Sequence, residues 1–243
     1  MRRCLAAASL LVLAACSHPT LQSANKAVAQ KLTALPSLPS LPSMPRPDSY
    51  ESYRWAIETD NLTTFQSLVA KGLGPNLVMP DSNPALVYAM VSGSGQVVQW
   101  LLEHPKLNVD QTNGRGDTAL MTASGLGELT WVDALIKRGG QINPASGWTP
   151  LHYAAANNRI SVVELLLKKS AWVDAPSANG TTPLMMAARS NASEVAKLLL
   201  KKGAQRDLVN EAGFSARDYA KRNGNDELEN LLAAPSTNCG RRC

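Results

Sequence analysis

The sequence predicts an all-α fold, a solenoid of about six helix pairs that follows a Pro-rich linker. A unit of about 33 residues recurs from near Asp48 to near Ala234. Apolar residues within the unit recur at helical spacing, whereas the alternating pattern of a half-buried strand is almost absent. One unit of this length cannot bury its own apolar face, so its copies must stack side by side.

The clearest copy of the unit begins at Gly147 and reads Gly-Trp-Thr-Pro-Leu-His-Tyr-Ala-Ala. The next copy begins at Gly180 and has Met185 where the first has His152, and another begins at Gly213. The Gly-x-Thr-Pro-Leu-His-x-Ala-Ala string resembles the ankyrin repeat, and the resemblance implies an ankyrin solenoid over residues 49–234. Looser copies lie earlier, and the first would be a degenerate end repeat; these are residues 117–123, residues 84–89, and the set Tyr53, Ala56, Ile57, Phe65, Leu68 and Gly72.

Each unit contains the signals of two helices. Thr149 is placed to cap the first helix, with Pro150 at its first position, where a missing N–H has no consequence. The run 162–166 has the apolar spacing of a second helix. Gly72 and Gly203 follow such second helices and are predicted to end them in the left-handed region.

The N-terminus has the three regions of an export signal. Arg2 and Arg3 precede an apolar run, residues 5–14, that is too short to span a membrane. The segment Leu-Ala-Ala-Cys that ends at Cys16 resembles a bacterial lipobox. This resemblance implies that residues 1–15 are a lipoprotein signal peptide and that Cys16 carries the acyl chains, palmitate among them. Ser17 implies sorting to the outer membrane, with the protein facing the periplasm. An ordinary secretory signal or a cytosolic apolar start stays open.

Residues 16–48 form the predicted linker, and residues 235–243 form a Cys-containing tail. Pro recurs every third residue from Pro36 to Pro45, which favours polyproline II. The segment is either a semi-rigid rod or a docking strip for an aromatic groove. In an oxidising compartment Cys239 and Cys243 are predicted to form a disulfide, or to pair between molecules. Their spacing lacks the Cys-x-x-Cys redox signature.

Charge and motifs exclude several classes of function. The net charge is +5, and it falls to +3 when Arg2 and Arg3 leave with residues 1–15, so nucleic acid is not the expected partner. The sequence has no phosphate-binding loop, nucleophile elbow or paired-His motif, and we expect no enzyme activity, cofactor, metal or small-molecule substrate.

The ankyrin resemblance implies that His152 is structural, its ring bonded to loop backbone. Lysines end the second helices at 168–169 and 201–202, where they complement the helix dipole; a basic strip that faces acidic lipid or an acidic partner is the alternative.

Two columns of the repeat contain the residues predicted to bind a protein partner. The first, two places after the motif Leu, resembles the groove-facing position of ankyrin units, and three of the five Tyr in the chain occupy it. The second follows the motif Gly near the loop tips. Aromatic and Met side chains are enriched where interfaces gain most of their energy. The alternative is that these side chains only pack between helices. The residues predicted to bind the partner are Tyr88, Thr122, Trp148, Tyr153, Met186, Phe214 and Tyr219.

The sequence therefore predicts a membrane-anchored, non-enzymatic module that binds an unidentified protein in the cell envelope. Two roles fit equally, namely neutralising an exported effector and holding a periplasmic enzyme. A structural spacer of the envelope, or a thiol-redox protein that uses the tail cysteines, is the alternative. Trp100, Trp131 and Trp172 are predicted to pack on or near the second helices, and for Trp172 another role stays open.

Overall fold

A computed structural model describes residues 50–145 and 147–233 of this chain. Within these ranges the chain forms twelve helices and no strand, and the predicted all-α repeat fold is confirmed. In chain order the helices are α1 Tyr50–Glu58, α2 Leu62–Ala70, α3 Ala85–Ser92, α4 Gly95–Glu103, α5 Ala119–Leu126, α6 Leu129–Lys137, α7 Pro150–Ala156, α8 Ile160–Lys168, α9 Pro183–Arg189, α10 Ser193–Lys201, α11 Ala216–Arg222 and α12 Asp226–Ala233. The predicted signal peptide, linker and tail, with Cys16, Cys239 and Cys243, lie outside the described residues.

The helices pair in order, and each pair packs on the next. They are seven to nine residues long, too short to be stable alone in water. The first helices of successive pairs (α1, α3, α5, α7, α9, α11) pack side by side. Among the second helices, α2 packs on α4, and α8 packs on both α6 and α10. Each turn inside a pair contains one residue with positive φ, a conformation that suits Gly, Asn and Asp; these residues are Asp60, Gly93, Gly127, Asn158, Asn191 and Gly224.

The predicted helix signals lie where the motif places them. Thr149 and Thr182 are the N-cap residues of α7 and α9, with Pro150 and Pro183 as the first helical residues. Gly72 and Gly203 follow second helices with φ of 109° and 92°, as predicted for left-handed termini.

One continuous apolar core runs through all six pairs. The second helices contribute fully buried leucines, among them Leu101, Leu135, Leu166 and Leu199. The first helices contribute mainly fully buried alanines, which let neighbouring helices approach closely; they include Ala89, Ala123, Ala154, Ala155, Ala187, Ala188 and Ala220. Because each pair shares its core with its neighbours, the stability of one pair depends on the next.

The first pair closes one end of this core with aromatic side chains. Tyr53 and Phe65 are fully buried, and their ring centroids lie 4.8 Å apart. Phe65 also meets the Trp100 ring of the second pair edge to face at 5.6 Å. The Tyr53 hydroxyl donates to Gly74 O at 3.1 Å. The degenerate end repeat predicted here is a fully packed helix pair.

Side-chain hydrogen bonds hold the loops of adjacent repeats in register. An Asn or Asp in the loop after each of four second helices accepts from a backbone N–H about one repeat later. The pairs are Asn76 Oδ1 with Asn108 N (2.7 Å), Asp110 Oδ1 with Gln141 N (2.9 Å), Asn143 Oδ1 with Trp172 N (2.9 Å) and Asp174 Oδ1 with Gln205 N (3.0 Å). The loops are therefore a fixed frame for the side chains they present.

Candidate protein-binding surface

The seven predicted partner-binding residues lie on the first helices and on the loops that lead into them. All seven are half-buried, so each has one side against the protein and one side toward solvent. The structure brings three of them into one cluster and two into another, and it leaves Tyr88 and Thr122 apart. The predicted continuous stripe is thus divided into separate groups.

The first group, which we call the central cluster, consists of Trp148, Tyr153 and Met186. With His152, Ala156 and Asn157 these side chains line an open cavity of about 210 Å³ between α7 and α9. The Trp148 ring stands edge to face on the His152 ring, with centroids 5.2 Å apart and planes at 89°. Because His152 is fixed in the core, this contact holds Trp148 in one orientation at the edge of the cavity.

The Tyr153 hydroxyl ties the central cluster to the preceding repeat. It donates to Asp117 Oδ1, and Arg115 Nε donates to the other carboxylate oxygen at 3.1 Å. Burial and the Asp117 carboxylate raise the pKa of Tyr153 well above its usual range, so the phenol stays neutral. Asp117 itself is buried and is part of the fixed loop frame. It directly follows Gly116, in the second column of the repeat, whose residues are predicted to lie near the loop tips.

The second group is Phe214 with Tyr219 on the last repeat. Their ring centroids lie 5.7 Å apart, and the Arg222 guanidinium carbon lies 5.1 Å from the centre of the Phe214 ring. Asn210 Nδ2 donates to the Tyr219 hydroxyl at 3.0 Å. This group presents a small aromatic surface with a cation on one face.

The remaining two residues make contacts that use their polar groups within the fold. The Tyr88 hydroxyl donates to Glu58 Oε1 at 2.5 Å, and burial together with this bond raises the pKa of Tyr88 to about 12. The Thr122 hydroxyl donates to Thr118 O, one turn earlier in the same helix, at 3.2 Å. For these two residues, packing within the fold describes the contacts better than a role in binding a partner does.

His152 joins two repeats through both ring nitrogens. Nδ1 accepts from the Thr149 backbone N–H at 3.1 Å, which leaves the proton on Nε2 to be donated to Thr181 O at 2.9 Å. Burial lowers the pKa of His152 to about 4, so the ring is neutral near pH 7. The prediction that His152 bonds to loop backbone is confirmed.

The family model for ankyrin repeats matches this chain in three overlapping copies, at residues 53–145, 86–177 and 170–242. This chain belongs to the ankyrin repeat family. Ankyrin repeats are protein–protein interaction modules, and the family is typically non-enzymatic.

Three relatives illustrate how the ankyrin segment recurs in larger proteins. The chain is 35% identical over 99 residues to rat ankyrin repeat and SAM domain-containing protein 6, covering 40% of this chain and 11% of the relative. It is 25% identical over 115 residues to human transient receptor potential cation channel subfamily A member 1, covering 46% and 10%. It is 30% identical over 89 residues to the Drosophila melanogaster E3 ubiquitin-protein ligase Ufd4, covering 37% and 3%. The chain therefore spans about a tenth or less of these relatives.

The His152 bridge predicts acid sensitivity of the ankyrin domain. The folded pKa is depressed from 6.5 to about 4, so the stabilisation is present above pH 6.5 and is lost as the pH falls toward 4. We expect the free energy of unfolding to fall by about 1.5 kcal/mol between pH 6.5 and about pH 5, at up to 1.36 kcal/mol per pH unit. Urea titrations across this range measure the slope, and His152→Gln should flatten it. Equal slopes for the two proteins would contradict the assignment.

A larger groove that the sequence did not reveal lies between the second helices α4 and α6 of the ankyrin stack. Its volume is about 540 Å³, and its lining residues are Gly95, Gln99, Leu102, Glu103, Thr130, Trp131, Ala134, Lys137 and Arg138. Trp131 lines this groove and also packs against the core, as predicted. Arg138 closes one end, where its guanidinium donates to Leu102 O at 2.6 Å and to His104 O at 3.1 Å.

Over residues 50–145 and 147–233, no group of three or more His, Cys, Asp or Glu side chains is arranged to hold a metal ion. In the same part of the chain no helix has the length and apolar character needed to cross a membrane.

Proposed function

We propose that this protein is a lipid-anchored ankyrin module that binds a protein partner in the bacterial cell envelope. The central cluster of Trp148, Tyr153 and Met186 is the observation that carries the binding part of the proposal. It combines an aromatic ring held edge-on, a flexible Met and an open cavity within one short stretch of surface. Rigid aromatic residues at the edge of a pocket are typical of the energetically dominant part of a protein interface.

The size of the cavity favours a protein partner over a small molecule. Its volume is about 210 Å³, whereas small-molecule sites usually enclose about 300–1,000 Å³ and bury most of their ligand. A single apolar side chain of a partner fits this description better, with the surrounding loops as the polar rim. Met186 adds adaptability, because its thioether chain can repack around different shapes.

The envelope location rests on the sequence of the first sixteen residues. Acyl chains on Cys16 would hold the domain at a membrane, since each buried methylene contributes about 0.8 kcal/mol. A tethered module of this kind suits either neutralisation of an exported effector or the holding of a periplasmic enzyme. The two roles require the same surface and differ in whether the activity of the partner falls on binding.

A photo-crosslinking amino acid at Met186 tests the partner-binding surface in living cells. The side chain at this position is half-buried and lines the cavity, so a bound protein would lie within reach. We expect a discrete crosslinked protein band from this position. Val91, which is 65% exposed on α3 and outside the cavity, is the control position and should give none. Equal labelling from both positions, or no band at Met186, would count against the proposal.

Incorporation of labelled palmitate tests the anchor. We expect the wild-type chain to be labelled and Cys16→Ala to lose the label completely, because the lipid would be attached through the thiol of Cys16. Cys4→Ala is the matched control, since Cys4 lies in the segment that the lipobox resemblance marks for removal, and it should keep the label. Labelling that survives in Cys16→Ala would refute the anchor and leave the binding surface untouched.

A further inference from the structure

The ends of three consecutive second helices form a surface rich in cations. Helices α6, α8 and α10 each end at a Lys, and each is followed by a second cation. Segments 137–142, 168–172 and 201–206 contain no Asp or Glu. We call this surface the basic edge, and its members are Lys137, Arg138, Lys168, Lys169, Trp172, Lys201 and Lys202.

The fold holds these segments side by side. Helix α8 packs against both α6 and α10, so the three helix ends are neighbours. The loops that follow are joined by the bonds from Gln141 N to Asp110, from Trp172 N to Asn143 and from Gln205 N to Asp174. Asn143 Nδ2 adds a bond to Ser170 O at 2.9 Å. The charges are therefore presented on a fixed backbone.

Most of the positive charge on this edge is not neutralised by the protein. Lys137 pairs with Asp133 at 2.6 Å. In the part of the chain that the structure describes, Lys168, Lys169, Lys201 and Lys202 have no carboxylate oxygen within 4.0 Å of their ammonium groups, and all four are exposed. The helix dipole accounts for one favourable cation at each helix end, whereas here each end carries two.

Trp172 projects from the middle of the basic edge. Its side chain is 60% exposed, whereas the other four Trp residues, Trp55, Trp100, Trp131 and Trp148, are half-buried. It follows Lys168 and Lys169 by only a few residues, and its backbone is fixed to Asn143. An exposed indole on a rigid loop has no packing role in the fold. The indole combines an apolar body with a polar N–H, which suits the headgroup region of a bilayer.

We propose that the basic edge docks on the surface of an anionic phospholipid membrane, with Trp172 inserted at headgroup level. The positive side chains are mainly Lys, whose compact charges on flexible stems suit a fluid array of phosphates, whereas recognition of fixed protein carboxylates favours the planar fork of Arg. Clustered Lys and Arg near a membrane are attracted by its negative surface potential. This contact does not require acyl chains on Cys16 or a partner at the central cluster.

The test is binding of the full Cys16→Ala chain to vesicles of phosphatidylcholine with or without phosphatidylglycerol. We expect stronger co-sedimentation with the anionic vesicles and loss of that difference at high salt. The segment before Cys16 is the same in every variant, and its Arg2 and Arg3 add a constant preference for anionic vesicles, so the contribution of the basic edge is obtained from the variants below. Equal binding to both types would overturn the proposal.

Two matched pairs of variants locate the contact. Lys168→Gln with Lys169→Gln should weaken binding to anionic vesicles by at least tenfold, since one surface cation near anionic lipid contributes roughly fivefold. Arg189→Gln with Lys221→Gln removes the same charge from the last turns of α9 and α11 and should have a much smaller effect. Trp172→Ala should weaken binding several-fold, whereas Trp148→Ala should not. Matching losses from both pairs would overturn the assignment.

Hydrogen exchange separates a membrane from an acidic protein. We expect anionic vesicles to slow amide exchange in residues 168–174 and 201–207, and soluble poly-glutamate to leave these segments unchanged. Protection by poly-glutamate without protection by vesicles would overturn the membrane assignment in favour of an acidic protein. Thermal unfolding of each variant shows whether the fold is retained.

Discussion

Replacing Trp148 and Met186 together by alanine is expected to weaken capture of the protein partner by roughly 100-fold or more. Residues that dominate an interface contribute about 2 kcal/mol or more each, which corresponds to about 30-fold per residue. Both side chains line the same cavity, so the double change removes two large apolar side chains from its lining. The measurement is a titration of the double variant against the crosslinked partner once it has been purified.

Stability must be kept apart from binding in this experiment. Trp148 and Met186 are half-buried and are not among the fully buried core residues, so the free energy of unfolding of the double variant should be close to that of the wild type. Trp172→Ala is the matched control, because it deletes an equally large aromatic side chain outside the cavity. A Trp172→Ala protein that loses capture while the double variant keeps it would refute the role of the central cluster. Tyr153→Ala is a poorer probe, because it also removes the bond to buried Asp117.

Phe65→Ala is expected to destabilise the first helix pair by about 3–5 kcal/mol, the usual range for removing a buried phenyl ring. The ring is fully buried between Tyr53 and Trp100, so the change opens a cavity at the junction of the first two pairs. Because each pair contacts only its neighbours, the loss should be concentrated in α1 and α2. Native-state hydrogen exchange measures this loss of stability as faster amide exchange in residues 50–70.

Phe65→Leu is the control for this cavity. The leucine side chain fills most of the volume of the phenyl ring, so the free energy of unfolding should fall much less than in Phe65→Ala. Uniform acceleration of exchange from α1 to α12 in Phe65→Ala would contradict the nearest-neighbour description. So would an unchanged rate in residues 50–70, since it would mean that the first pair does not depend on this ring.

Much of the fold could be predicted from a few residues of the motif. Thr149 with Pro150, and Thr182 with Pro183, mark helix starts, because their chemistry is local to the chain. Gly72 and Gly203 mark helix ends for the same reason. The first pair lacks the Thr-Pro start signal and is held by long-range contacts of Tyr53, which a sequence pattern does not contain. It was recognisable only as the neighbour of clearer copies.

The candidate site was predicted less completely, because its geometry depends on contacts between repeats. The column containing Tyr88 and Tyr153 was identified from its spacing, but the partners Glu58 and Asp117 come from the preceding repeat. Burial of Asp117 likewise depends on the loop that surrounds it. The groove beside Trp131 arises between two second helices and has no signal of its own in one repeat.

Exposure of Trp172 could not be derived from its position either. The equivalent loop positions in neighbouring repeats hold Gln141 and Gln205, whose backbone amides make the same bond as the Trp172 amide. The repeat therefore fixes the backbone and leaves the side chain free to differ. A large apolar residue at a position otherwise occupied by Asn or Gln is the feature that a comparison of repeats within the chain reveals.

The central claim is that a fixed ankyrin stack presents the central cluster to another protein. Its most direct test is hydrogen exchange of the full chain, measured with and without the purified partner. The account predicts that the partner slows exchange in residues 147–157 and 183–189 and leaves the last turn of α3 unchanged. Protection confined to other segments, with these two unaffected, would contradict the claim.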